Sequence, residues 1–318
     1  MITRLSSISM QNTMLNQIAN NQNKFYELQN QALTGNKINS ITDNPTGAAK
    51  IIILNNSLSK LESYQKNVGA AQGEYEIMDS TLANVVDKLQ RASELAISAA
   101  NEYNTSENLQ AIKNEISTIK STIVNLSNVQ YMDMYIFAGA NTNTSAFTQN
   151  DDGSVVYNGT PQTGDYKRQL EVAENTFLTL NAAGDSVFGS YDSTAKTGSG
   201  IFKTLSEFEA ALDAAGSTDA TVSADGFAKL RETINSVSDD IQNVTGIRSR
   251  YGTYAQKADL SENSLAENSI LLKDDLSSIQ DVDLAEVYSN LTMQQYALQA
   301  SMQVGAMTLQ QNSLLNYI

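Results

Sequence analysis

Ser57-Leu58-Ser59-Lys60 places a serine three residues ahead of a lysine. That spacing belongs to serine acyl-transfer enzymes, where the lysine lies over the nucleophile. Here the run falls in the middle of a helical pattern and its companion motifs are missing, so chance accounts for it better. Gly198-Ser199-Gly200-Ile201-Phe202-Lys203-Thr204 has the glycines and the Lys-Thr pair of a phosphate loop, but the spacing fails. Asn150-Asp151-Asp152-Gly153-Ser154 reads as a hairpin turn, with a weak cation site as the remote alternative. Asn158-Gly159-Thr160 spells a glycosylation acceptor, which means little in a chain with no visible secretory signal. The 318 residues include no cysteine, no histidine and no tryptophan. Losing cysteine and histidine together removes the common zinc ligands, the Ser-His and Cys-His pairs and the usual pH switch. The residues therefore predict no catalytic site, no metal and no cofactor, and an enzyme is the least favoured class.

The elements that would carry any function are helices. Ile8, Leu15, Ile18 and Phe25 step by seven, three and seven along the first helix, with Gln11, Gln22 and Gln29 on the same seam. Gly35 is its stop. In the irregular run that follows, Ile38 and Ile41 are candidate anchors, Asn44 can cap the next helix and Pro45 takes its first position. Leu54, Leu58, Leu61, Val68, Tyr75, Leu82, Val85 and Leu89 keep one face through a helix of about residues 45–100. After a turn at 101–106, where Ser106 is the expected cap, Leu109, Ile112, Ile116, Ile119, Ile123 and Leu126 repeat at 3,4,3,4,3. The short turn predicts an antiparallel return.

Residues 150–219 hold eleven acids against four bases. Between 143 and 223 alternating runs predict strands around 154–159 and 166–184, with one helix at 204–215. Helix resumes near Ala224, with Phe227, Leu230, Ile234, Val237, Ile241 and Val244 on one face. Asp283 with Glu286 forms a capping box for the last helix. Leu284, Tyr288, Leu291, Leu298, Met302 and Leu309 are its expected seam, and Met293, Met302 and Met307 its expected gap-fillers. The predicted fold class is mainly α: a long, coiled-coil-like helical bundle built from both chain ends, with a small, mostly β inserted domain. The expected division is 1–44 with 281–318, 45–142 with 224–280, and 143–223.

The ends are short of charge. No charged side chain follows Glu286, and Arg4 is the only one before Lys24. Formal net charge is −15, which disfavours nucleic acid and anionic membranes as partners, and no run approaches the ~20 apolar residues of a span. Ordering a lone helix costs on the order of 1–2 kcal/mol per residue in backbone entropy, so such ends need neighbours. Two arrangements supply them: other subunits, the expected one, or a hairpin within the chain.

The stretch ALTGNKINSITDNPTGAAKI, residues 32–51, resembles the N-terminal signature of the bacterial flagellins and their relatives. Leu33, Gly35, Ile38, Asn39, Ser40 and Asp43 match it; Thr34, Lys37 and Asn44 depart from the usual Ser, Arg and Asp. YIFAGANT, residues 135–142, resembles the strand after the second core helix in the family's junction branch, and Asn44-Pro45 is also nearer that branch. At the other end Asp283, Ala285, Leu291, Gln295, Leu298, Ala300, Ser301, Ser313, Leu314 and Leu315 match the family's C-terminal pattern.

The resemblance implies a structural subunit joining hook to filament, exported unfolded through the flagellar type III channel and ordered on assembly. It implies terminal helices lining an inner tube and an insert facing solvent. Its implied partners are other copies of the chain, hook-associated protein 1, flagellin and a FlgN-type export chaperone. Its implied subunit interface is Ile8, Leu15, Ile18, Phe25, Leu284, Tyr288, Leu291, Leu298, Met302, Leu309, Leu314 and Leu315. Leu291, Leu298, Met302 and Leu309 would also meet the chaperone. The implied inter-subunit loop is Gly35, Ile38, Asn39, Ser40, Asp43, Asn44 and Pro45. A minor flagellin and, from a different class, a secreted or signalling coiled-coil protein are the alternatives.

Overall fold

A computed structural model describes the backbone of residues 2–160, 168–180 and 183–314, and side chains at 9–160, 168–180 and 183–307. Among them are seven helices and eight short strands. The helices are α1 (Ile2–Thr34), α2 (Pro45–Ala99), α3 (Ser106–Ser127), α4 (Gly184–Val187), α5 (Gly200–Ala215), α6 (Ala220–Gln280) and α7 (Leu284–Leu314). The strands are β1 (Gln130–Tyr131), β2 (Met134–Tyr135), β3 (Phe147–Gln149), β4 (Val155–Tyr157), β5 (Gln169–Ala173), β6 (Thr176–Thr179), β7 (Ser190–Asp192) and β8 (Thr197–Ser199). The mainly helical plan with a small β insert is therefore the one the periodicity predicts. Of the expected strands, Tyr166, Lys167 and residues 181–182 lie outside the described residues. The chain divides into two compact units, residues 1–61 with 267–318, and residues 62–266.

The second unit is built on two facing helical segments. In α2, Val68, Ala71, Tyr75, Met78, Leu82, Val85, Leu89, Ala92, Ala96 and Ala99 are all buried and step strictly by 3 and 4. That is the period of a coiled-coil seam. In α6 the buried series is Leu230, Thr233, Val237, Asp240, Val244, Ile247, Tyr251, Ala258 and Leu265. The two run antiparallel: Arg248 holds Asp79 at 2.6 Å, while Gln72 donates to Asp259 and Glu262, each at 2.8 Å. This corrects the sequence reading of α6, since Thr233 and Asp240 sit in the seam and Ile234 and Ile241 lie at its margin. The largest side chains do not always point inward, because packing rewards a continuous stripe over individual hydrophobicity.

α3 returns along α2, with Arg91 bonded to Glu115 at 2.7 Å. Its cap is Thr105, whose side chain accepts from Asn108, one residue ahead of the expected Ser106. α3 also packs against α5, where the nearly buried Lys120 is paired with Glu209 at 2.5 Å. α6 starts at Ala220, earlier than expected, because the Asp219 carboxylate accepts from the amides of Thr221 and Val222.

The strands form an antiparallel sheet in the order β3-β4-β7-β8 and two hairpins, β1-β2 and β5-β6. Phe137, Phe147, Phe188, Phe202 and Phe208 are all fully buried. Phe147 lies 5.5 Å from Phe188 and 5.2 Å from Phe202 between ring centroids. This aromatic core draws together β3, α4's end and α5, elements that are distant in sequence. Hairpin β5-β6 rests on α2: Asn67 donates to the Glu171 carbonyl at 2.8 Å and Tyr75 to the Thr179 carbonyl at 2.6 Å. Arg168 reaches the buried Glu74 carboxylate. Burial pushes that carboxyl up to about 7, against the opposing pull of Arg168.

Asp240 is a buried acid within an apolar seam, and its Oδ2 has no hydrogen-bond partner among the described residues. Burial pushes its carboxyl up to about 6, with a Thr204 hydrogen bond opposing and Asp239 adding to the rise. The unfolded chain ionises this group near pH 4. The folded state alone keeps the proton between about pH 4 and 6, so this contribution to stability falls as pH rises through that window. We expect Asp240→Asn to raise stability at pH 7 by on the order of 2 kcal/mol and to flatten the pH 4–6 slope. Glu74 should leave a residual slope towards pH 7. Urea unfolding of both chains at pH 4, 6 and 7 measures this.

Candidate assembly interface

The first unit places the two charge-poor ends side by side. α1 is free of glycine and proline, and it ends where Gly35 takes φ +72°, a conformation that costs glycine little. α7 begins after Asp283, whose carboxylate accepts from the amides of Ala285 and Glu286. α1 and α7 then lie antiparallel along each other within one chain. The in-chain hairpin is thus the arrangement present, but it covers only part of the apolar surface.

Its seam steps by 3 and 4. On α1 it is Gln11, Met14, Ile18, Asn21, Phe25 and Leu28; on α7 it is Val287, Leu291, Gln294, Leu298, Ser301 and Gly305. Of these, Leu28, Val287 and Gly305 are buried and the rest half-buried. The centre is polar: Asn21 donates to Ser301 Oγ at 2.7 Å, and Gln294 donates to the Asn21 carbonyl at 3.0 Å. Neutral amides pair here without the desolvation cost of a charge. A Cβ on Gly305 would stand 3.2 Å from Ile18 Cδ1, so the glycine lets the helices approach.

Of the residues singled out from sequence, Ile18, Phe25, Leu291 and Leu298 lie in this seam, half-buried. Leu15, Leu284, Tyr288 and Met302 point outward; Leu15 is 60% exposed. The side chains of Ile8, Leu309 and Leu314, and the whole of Leu315, lie outside the described residues. Gln22 and Gln29 face outward, not along the seam. Met293, Met302 and Met307 are exposed rather than gap-filling. Sequence reasoning missed Met14, Leu28 and Val287. A strict 3–4 step through Asn21 and Gln294 would have found them, whereas the largest apolar residues led away.

Two grooves flank the seam, and of these outward residues Leu15 and Met302 line one of them. One, about 710 Å³, is lined by Met10, Thr13, Gln17, Ala300 and Val304. The other, about 300 Å³ and on the opposite flank, is lined by Gln11, Leu15, Met302 and Ala306. Tyr296, 67% exposed, lies outside both. The hairpin is therefore a ribbon with apolar edges on either side.

The loop between α1 and α2 is ordered by its own side chains. Asp43 Oδ2 accepts from the amides of Asn39 at 3.1 Å and Ser40 at 2.8 Å. Asn44 Oδ1 accepts from Gly47 at 2.9 Å, capping α2, and Pro45 is its first residue. Ile38 packs against Gly47, while Ile41 is exposed. The loop is also stitched to the connection between α6 and α7: Lys37 donates to the Gln280 carbonyl at 2.6 Å and Val282 to the Gly35 carbonyl at 3.1 Å.

The motifs that spelled chemistry lead elsewhere. Ser57 donates to the Ile53 carbonyl within α2 and Lys60 is exposed. Residues 150–154 turn between β3 and β4, with Asp152 accepting from the Ser154 amide. Among the described residues no three acids gather as a metal site, and no helix is long and apolar enough to cross a membrane.

Comparison with known proteins finds matches at both ends of the chain. Residues 5–142 match the bacterial flagellin N-terminal helical region, and residues 234–318 match the bacterial flagellin C-terminal helical region. Flagellar hook-associated protein 3 of Salmonella typhimurium is 24% identical over 306 residues, 94% of each chain. The Escherichia coli protein of the same name matches to the same extent. Among solved structures, FlgL from Xanthomonas campestris is similar with a TM-score of 0.61 at 18% identity, covering 70% of this chain and 99% of that one. Flagellar hook associated protein-3 from Legionella pneumophila has a TM-score of 0.63 at 14% identity, covering 72% and 98%. With both terminal helical regions matched in their proper order, the chain belongs to the bacterial flagellin family.

Proposed function

We infer that this protein is a structural subunit of the bacterial flagellum that forms the junction between hook and filament. The observation that carries the reading is the charge-poor ribbon of α1 and α7, with apolar edges left open on both flanks. Its family and its end-to-end likeness to hook-associated protein 3 give that surface a setting. A ribbon sticky on two edges suits a subunit with a neighbour on each side. Each large apolar side chain buried there returns roughly 1.5–3 kcal/mol, enough in sum to drive assembly.

In this reading residues 1–44 and 281–318 line the inner tube, 45–142 with 224–280 form its shell, and 143–223 face solvent. Leu15, Leu284, Tyr288 and Met302 meet other subunits directly. Ile18, Phe25, Leu291 and Leu298 hold the ribbon that presents them. The loop from Gly35 to Pro45, including Ile38, Asn39, Ser40, Asp43 and Asn44, braces an adjacent copy. The partners are other copies, hook-associated protein 1 on one side and flagellin on the other. Before export through the flagellar type III system, a FlgN-type chaperone covers α7 around Leu291, Leu298, Met302 and Leu309. The protein transmits torque by packing and catalyses nothing.

Two substitutions separate ribbon from edge. Met302→Asp charges an open edge: we expect export and the helical content of the free chain to be unchanged and filament attachment to be lost. Leu298→Asp charges the seam, and should lose attachment together with the α1–α7 pairing. Swimming assays, secreted-protein blots and circular dichroism read these outcomes. Normally attached filaments in both variants would overturn the assembly reading. Long filaments grown from the purified chain alone, seen by negative stain, would favour a minor flagellin.

A further inference from the structure

Building on the junction reading, we propose that the open edges of the α1–α7 ribbon are an oxidative modification site. Hydrogen peroxide converts their methionine thioethers to sulfoxides, which closes the surface to its neighbours. A chain without cysteine, histidine or tryptophan offers a mild two-electron oxidant little besides its nine methionines. Five of them, Met10, Met14, Met293, Met302 and Met307, lie on α1 and α7. Four of those five face out: Met10 is 66% exposed, Met307 65%, Met293 62% and Met302 50%. Met10 lines the groove of about 710 Å³ and Met302 the one of about 300 Å³ on the other flank. Met293 lines a third, of about 500 Å³, towards the start of α7.

Elsewhere the thioethers are sheltered. Met78 is fully buried in the α2 seam, and Met14 is half-buried between the paired helices. Met134 is half-buried, with Arg168 Nη1 at 3.8 Å from its sulfur. Among the described residues, Met132 at the β1–β2 turn is the one open methionine off the ribbon. In the reaction the sulfur attacks one peroxide oxygen, and an S–O bond forms as the O–O bond breaks. Sulfur gives up two electrons, and the departing hydroxide takes the proton of the transferred oxygen and leaves as water. The product is a strong hydrogen-bond acceptor with no donor of its own. In the free chain water satisfies it, so the fold survives. Pressed against an apolar neighbour it has no partner, and burial becomes costly. An edge made of leucine alone would not respond in this way.

The test supplies purified full-length chain to cells that lack it and counts attached filaments. Three samples are compared: untreated chain, chain oxidised with dilute hydrogen peroxide, and oxidised chain restored by the two stereospecific methionine sulfoxide reductases with dithiothreitol. With no cysteine in the chain, the thiol touches nothing else. Peptide mass mapping should find Met10, Met293, Met302 and Met307 oxidised while Met78 is intact, with circular dichroism unchanged. The chain concentration that gives half the filaments should rise roughly five- to a hundredfold for each sulfoxide left without a partner, and should return after reduction. Met132→Leu, off the ribbon, should leave both untreated attachment and peroxide sensitivity at parental levels. Full attachment by oxidised chain, a loss that reduction does not reverse, oxidation reaching Met78 equally, or resistance conferred by Met132→Leu would each overturn this proposal alone. Untreated chain that restores no filaments would overturn the junction reading, and this proposal with it.

Discussion

A helix that carries apolar side chains all round and no charge cannot hide them against a single partner. From Val287 onward α7 has no charged group, and α1 covers one stripe of it. Half of that stripe is spent on small residues and amides: Gln294, Ser301 and Gly305 face inward beside Val287, Leu291 and Leu298, while Met293, Tyr296, Met302 and Met307 face out. Close approach requires small side chains, so the large ones are displaced to the edges. The open edges follow from the same packing that makes the pair possible.

The second unit meets the opposite requirement and is built in the opposite way. The α2 seam is apolar and strictly periodic and the α6 seam largely so, the unit's surface helices are cross-linked by Arg91–Glu115, Arg248–Asp79 and Lys113–Asp213, and aromatic rings fill the insert. Its two irregularities, Asp240 in the α6 seam and Glu74 under hairpin β5-β6, are buried acids whose ionised forms are costly there.

Much of this was legible in the sequence where a local rule decides. Gly35 ends α1, Asn44 and Pro45 open α2, and Asp283 opens α7, because caps depend on residues within one turn. The seam of α3 was partly clear: Leu109, Ile116, Ile119 and Ile123 are buried as the stripe predicts, Ile112 and Leu126 are half-buried, and Lys120, Val124 and Ser127 are buried beside them. The inner faces of α1, α6 and α7 were less so. There the stripe passes through Asn21, Asp240 and Gly305, residues that hydrophobicity ranks low and that only a facing helix makes sense of. The cluster of Phe137, Phe147, Phe188 and Phe202 was invisible for another reason: its members come from separate elements with no shared period.

Hairpin β5-β6 shows what kind of grip α2 has on the insert. Asn67 and Tyr75 hold it by the carbonyls of Glu171 and Thr179, groups that every amino acid supplies. A clasp of that type is indifferent to the side chains displayed above it. The outward positions of the hairpin, Phe177 among them, are thereby free to drift under selection from the surroundings while the rod beneath keeps its shape.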